Sequence, residues 1–119
     1  MLPAQHRMRR SAEFADAIRA GARSGSRRVV VHYHHSGSTR DEPARVGFVV
    51  SKAVGGAVQR NLVKRRMRAA LRAEVHHLPR GSAVVVRALP AANGSSFAEL
   101  RDDVVHCLGR ARRSEEGRR

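Results

Sequence analysis

The sequence predicts a single α+β domain, and three observations carry that prediction. Its 119 residues are the length of one domain, able to bury about two-thirds of the surface its unfolded chain exposes. Short β-branched runs at 29–35, 45–51 and 82–88 are interleaved with stretches whose apolar residues recur at helical spacing. Apolar residues make up 41% of the chain but aromatics only 3%, so the domain has enough apolar mass for a core and that core must be aliphatic. Phe14, Tyr33, Phe48 and Phe97 are its only phenylalanines and tyrosine, and it has no tryptophan.

The elements follow in order. Residues 1–10 are basic and irregular, a flexible N-terminal segment. Ser11 reads as an N-cap, with Glu13 in the first turn where the helix dipole favours an acid. A helix over 12–20 places Phe14, Ile18 and Ala22 roughly on one side and stops at Gly21. A Ser/Gly/Arg connection leads to the strand at 29–35. The loop Ser36-Gly37-Ser38-Thr39 with Asp41-Glu42-Pro43 separates it from the strand at 45–51, so the two form an antiparallel pair. Gly55-Gly56 breaks the pattern before a long helix over 58–77, ended by Pro79 and Gly81. The strand at 82–88 is apolar enough to be interior. A last helix runs over 96–109, which leaves 110–119 as a charged, frayed tail and 11–109 as the folded domain.

Several function classes are excluded on the same page. No apolar run reaches the 18 or so residues of a membrane span and no signal-like segment opens the chain, so the expectation is a cytoplasmic protein without membrane contact. Cys107 is the only cysteine, which removes a disulfide framework and any multi-cysteine zinc site; it reads as a small buried apolar side chain. Asp102-Asp103 would point about 100° apart on a helix, a poor two-metal site. His32, His34, His35, His76, His77 and His106 lack zinc-ligand spacing. Gly55-Gly56 lacks the ending of a phosphate-binding loop. No catalytic residue, protein-bound metal or small-molecule cofactor is expected.

Charge is more informative. Twenty-four Lys and Arg stand against ten Asp and Glu, a net charge of +14, and Lys52 and Lys64 are the only lysines. That balance is the footprint of a polyanion binder, and the planar arginine fork suits phosphate. Projected at about 100° per residue, the long helix gathers Val63, Met67, Ala70, Leu71 and Leu78 into a core face. Asn61, Lys64, Arg65, Arg68 and Arg72 form an adjacent stripe, with Arg60 near its border. The stripe has four cations and no carboxylate, and its like charges at i,i+4 repel. Such a face suits the phosphates of a nucleic acid. Asn61 can either cap the helix or hydrogen-bond a base edge or 2′-hydroxyl. A small basic ribosomal protein fits the composition equally; a major-groove DNA reader lacks its helix-turn-helix or zinc ligands.

The order of residues separates these readings. Gly47-Phe48-Val49-Val50-Ser51-Lys52, then Val54-Gly55, Ala57-Val58, Arg60-Asn61, Lys64-Arg65-Arg66 and Arg68 closely resemble the signature of the bacterial ribonuclease P protein subunit. Arg7-Met8-Arg9-Arg10-Ser11-Ala12-Glu13-Phe14 resembles that family's opening helix. Val84-Val85-Val86-Arg87-Ala88 is similar to its late strand, and Ser96-Phe97 with Glu99-Leu100 to the start of its last helix, so the resemblance covers about residues 6–109. It implies a fold of order α-β-β-β-α-β-α, with a mixed sheet, a left-handed crossover and one short strand more than the residues alone reveal. It implies an accessory subunit of an endoribonuclease that binds a catalytic RNA and helps it remove the 5′ leader of precursor tRNA. The hydrolysis would belong to that RNA with its bound magnesium, and the protein would act as a monomer in a 1:1 complex. Carried onto this sequence, Arg60, Asn61, Lys64, Arg65, Arg68 and Arg72 would contact the RNA subunit, and Phe14, Ile18, Phe48, Ser51 and Lys52 the leader. The chain departs from the family pattern at Ala53, where a second lysine is usual, at Gly56, usually asparagine, and at Ile18, often an aromatic.

Overall fold

Val84, Val85 and Val86 are all fully buried, so both faces of their strand must be covered. The computed structural model describes residues 4–8, 11–35 and 42–117, and in it this strand lies inside a four-stranded sheet. The elements are α1 (Ser11–Ala20), β1 (Ala22–Gly25), β2 (Val29–His35), β3 (Arg45–Val49), α2 (Ala57–Glu74), β4 (Ser82–Ala88) and α3 (Phe97–Glu116). Strand order is β1-β2-β4-β3. β1 is antiparallel to β2, β2 to β4, and β3 runs parallel to β4 with α2 as the crossover between them. The element order α-β-β-β-α-β-α and the mixed sheet match the topology the resemblance implies, and β1 is the additional short strand.

The predicted antiparallel pairing of 29–35 with 45–51 does not form. β4 sits between them, Val31 opposite Val86 on one side and Phe48 opposite Val86 on the other. The most continuously apolar strand takes the position buried on both faces, so β2 and β3 are its neighbours on either side and not each other's. The loop at 36–41, in the segment joining β2 to β3, lies outside the described residues, as do the side chains of Ser11 and Glu13.

The sheet divides two apolar layers. Val29, Val31 and Tyr33 of β2, Val46 of β3 and Val84 and Val86 of β4 pack against Val63, Met67, Ala70 and Leu71 of α2 and Leu100, Val104, Cys107 and Leu108 of α3. All five residues of the predicted core face are buried, Leu78 from the turn after α2, where a short 3₁₀ stretch (Val75–His77) closes the helix. On the opposite face Val85 meets Met8 and Ala17, with Phe14, Val49 and Ala83 packed around them. The buried side of α1 therefore runs through Phe14 and Ala17, whereas Ile18 is 37% exposed and Ala22 belongs to β1. Residue 21, just after α1, is held to glycine because a Cβ there would lie 2.7 Å from the carbonyl carbon of Tyr33, closer than any side chain tolerates.

The last helix does not stop at residue 109. It opens with a capping box between Ser96 and Glu99 and continues to Glu116. Ala111 and Glu115 extend its buried period, and the Glu115 Oε1 accepts from the His35 N–H at 3.0 Å and lies 3.1 Å from the His34 Nδ1. Arg110 donates to the Ser24 hydroxyl at 2.8 Å and the Gly25 carbonyl at 3.0 Å. These contacts with β1 and β2 hold residues that a charge-based reading assigns to a tail. Residues 5–8, read from sequence as part of a flexible segment, also lie beside β3, with the Met8 N–H donating to the Val46 carbonyl at 3.0 Å.

Candidate nucleic-acid interface

α2 begins with no acid in its first turn and no side-chain cap, so its positive dipole end reinforces the cations that follow. Arg60 is half-buried there and its Nε is buried without a hydrogen-bond partner among the described residues. Asn61, Arg65 and Arg72 are exposed, while Lys64 and Arg68 are half-buried. The predicted stripe is therefore split: three side chains face solvent, and the other two turn toward β3.

What Lys64 and Arg68 turn toward is a hollow of about 210 Å³ between α1, β3 and α2. Phe14, Gly47 and Phe48 line it with them, together with Arg7, Met8 and Val46. The Arg68 guanidinium carbon stands 6.0 Å from the centre of the Phe48 ring, within cation–π range. One small space thus joins two aromatic rings to three cations. Ile18, Ser51 and Lys52, also expected at the leader site, are exposed and do not line the hollow. Arg7, Met8 and Gly47 do line it, although residue-by-residue reasoning did not select them. Their signal was present in the motifs Arg7-Met8 and Gly47-Phe48, but only the fold brings those motifs together.

The same sheet face holds a buried imidazole. His32 is 2% exposed, and neither ring nitrogen has a hydrogen-bond partner among the described residues. Burial, then the charges of Arg87 and Arg23, holds its pKa below the ordinary 6.5. Asp103 accepts from Arg28 and Ser26, and Asp102 from Arg101. Among the described residues no three His, Cys, Asp or Glu side chains come together as a metal site, and no helix is long and apolar enough to cross a membrane.

The sequence profile of the family Ribonuclease P matches residues 2–112. The chain belongs to the ribonuclease P protein family. The ribonuclease P protein component of Beutenbergia cavernae is 59% identical over 106 residues, covering 87% of this chain and 86% of the relative. That of Nocardioides sp. is 52% identical over 108 residues, covering 91% and 92%. Among solved structures, the RNase P protein of Staphylococcus aureus superposes with a TM-score of 0.79 at 25% identity, covering 89% of this chain and 94% of that one. The chain is thus a ribonuclease P protein component, part of an endoribonuclease assembly, and the ribosomal alternative is not favoured. Within the family frame, the hollow and the exposed stripe of α2 are two differently built surfaces: one concave, aromatic and cationic, the other convex and cationic alone.

Proposed function

We propose that this ribonuclease P protein component, whose partner is the ribonuclease P RNA, binds that RNA through the exposed stripe of α2 and receives the 5′ leader of precursor tRNA in the hollow. Arg60, Asn61, Lys64, Arg65, Arg68 and Arg72 supply the first surface, where each neutralised phosphate releases counterions. Phe14 and Phe48 supply stacking faces in the second, with Lys64 and Arg68 shared at the border. The observation that carries the reading is the Phe14–Phe48–Lys64–Arg68 hollow. Rings beside cations suit an unpaired strand of varied sequence, because every base has a π-face and every nucleotide a phosphate. Ser51, Lys52 and Ile18, exposed nearby in sequence, would contact leader nucleotides beyond the hollow.

Hydrolysis is assigned to the RNA subunit with magnesium. The charged side chains of the hollow are Arg7, Lys64 and Arg68, a donor set that repels a divalent cation, so magnesium would be held by phosphates of the RNA and substrate. The protein's work is to bind and align the leader and to offset RNA–RNA repulsion, as a single copy per RNA.

The test is cleavage of precursor tRNA by ribonuclease P RNA at low magnesium, with and without the protein. Protein-dependent release of the leader, and none by protein alone, is the expected result; no stimulation by folded protein would overturn the reading. Phe14→Ala should weaken precursor binding more than mature tRNA binding.

A further inference from the structure

The segment ahead of α1 is built into the wall of the hollow. His6 is buried, and its Nδ1 lies 2.6 Å from the Ala44 carbonyl oxygen. The Gln5 amide nitrogen is 3.4 Å from its Nε2, which fits a ring protonated on Nδ1 and donating to Ala44. The His76 ring meets His6 edge-on, centroids 6.1 Å apart. The next residue, Arg7, forms a parallel bridge with Val46, and the Met8 N–H donates to the same residue's carbonyl. β3 ends the sheet, so this strap occupies its outer edge. Arg7 and Met8 reach the hollow from that edge, and the Met8 sulfur would stand 3.0 Å from a Cβ on Gly47.

Ordering such a segment costs more conformational entropy than one backbone hydrogen bond returns. The buried imidazole and the Met8 side chain must therefore hold it in place. We propose that the strap forms one wall of the single-strand seat, that His6 is its positioning residue, and that Arg7 is a third cation for leader phosphates. This rests on the reading of the hollow as the leader site. The backbone bonds fix the strap's register against Val46, while the His6–Ala44 bond fixes its entry, so the position of Arg7 depends on both.

The experiment measures affinities of the reconstituted holoenzyme for precursor and mature tRNA, with KM and kcat, for wild type, His6→Ala, His6→Asn, Arg7→Ala and Phe14→Ala. His6→Ala should lower the precursor-over-mature preference about five- to tenfold, the loss of one buried hydrogen bond and the wall it holds, and should raise KM with kcat unchanged. His6→Asn, which keeps a donor near the Nδ1 position, should restore most of the preference. Arg7→Ala should reduce the salt slope of precursor binding by about 0.7, one phosphate on a single strand, and leave that of mature tRNA unchanged. If His6→Ala and Arg7→Ala keep the preference while Phe14→Ala loses it, the strap is no part of the seat and the leader reading stands. If Phe14→Ala also keeps it, the leader reading itself fails. His6→Asn behaving like His6→Ala, with precursor and mature tRNA equally affected, would reduce the strap to a structural role and overturn the proposal.

Discussion

Phe14 rests where the side chain of residue 47 would be. A Cβ built on Gly47 would fall 2.5 Å from the Phe14 Cζ, so the ring of α1 and the backbone of β3 approach as closely as they do only because residue 47 has no side chain. The next residue, Phe48, faces the same hollow with Arg68 above it. The Gly47-Phe48 dipeptide thus admits one ring and supplies another.

Gly47→Ala should therefore act on the seat as well as on stability. The ring must shift or the strand must move, a form of overpacking that costs about 1–3 kcal/mol. Thermal unfolding checks that part, and precursor against mature tRNA affinity checks the other. Selective loss of precursor binding in the folded variant is expected; wild-type selectivity with Phe14 displaced would mean that its ring is not what the leader meets.

Much of this arrangement is legible in the sequence, and what is not has physical causes. The core face of α2 and its cationic stripe follow from a period of 3.6 over 18 helical residues, a signal that tertiary context seldom overrides. Strand pairing has no such local signal. Residues 29–35 and 45–51 are separated by turn residues typical of a hairpin, and only the burial demand of Val84, Val85 and Val86 shows why another strand intervenes. Charge alone marks Arg110 and Glu115 as tail residues, yet Glu115 continues the buried period of Val104, Cys107 and Ala111, and Arg110 reaches across to Ser24 and Gly25. The hollow is half legible: the family resemblance points to Phe14 and Phe48, which line it, and equally to Ile18, which does not, while the strap residues Arg7 and Met8 reach the site along the edge of β3.

His32 gives a pH prediction. Its folded pKa is depressed by burial and by Arg87 and Arg23, while in the unfolded chain it returns to about 6.5. Below that value the unfolded chain binds the proton more readily, so the contribution of neutral His32 is complete above pH 6.5 and is lost as pH falls toward the folded pKa. Unfolding followed from pH 8 to 5 should show this decline, and His32→Leu should flatten it. An identical decline in both proteins would assign the acid sensitivity elsewhere.

Arg28 is a tie between layers. It donates to Glu99 at 2.8 Å and to Asp103 at 3.1 Å, joining the β1–β2 turn to α3, and Asp103 also accepts from Ser26 at 3.2 Å. Because the pairs are partly exposed, Arg28→Ala should cost only about 0.5–1 kcal/mol, with a smaller difference at high salt. Arg28→Lys should recover only part of it, since a lysine cannot span both carboxylates with one planar fork. Melting temperatures of the three proteins at 50 mM and 1 M salt, conditions on the order of a threefold or greater change in screening length, would reveal the pattern; a loss independent of salt would point to packing of the arginine stem instead.

Arg65 and Arg68 lie on one predicted stripe but belong to different surfaces, and their variants should separate accordingly. Arg65 is exposed and does not line the hollow, whereas Arg68 is half-buried, lines it and stands over Phe48. Arg65→Ala should weaken binding to the RNA subunit and reduce the salt slope by about 0.9, one phosphate on a duplex, without changing the preference for precursor over mature tRNA. Arg68→Ala should lower that preference as well, because it removes the cation facing the ring. Arg68→Lys should keep the salt slope yet recover the preference only partly, since an ammonium lacks the flat face that a guanidinium offers to a ring or base. Binding titrations of the RNA alone and of the holoenzyme with each tRNA distinguish the two. Equal effects of Arg65→Ala and Arg68→Ala in every assay would mean that α2 presents one undivided surface, and that the turn of Arg68 toward β3 has no consequence for binding.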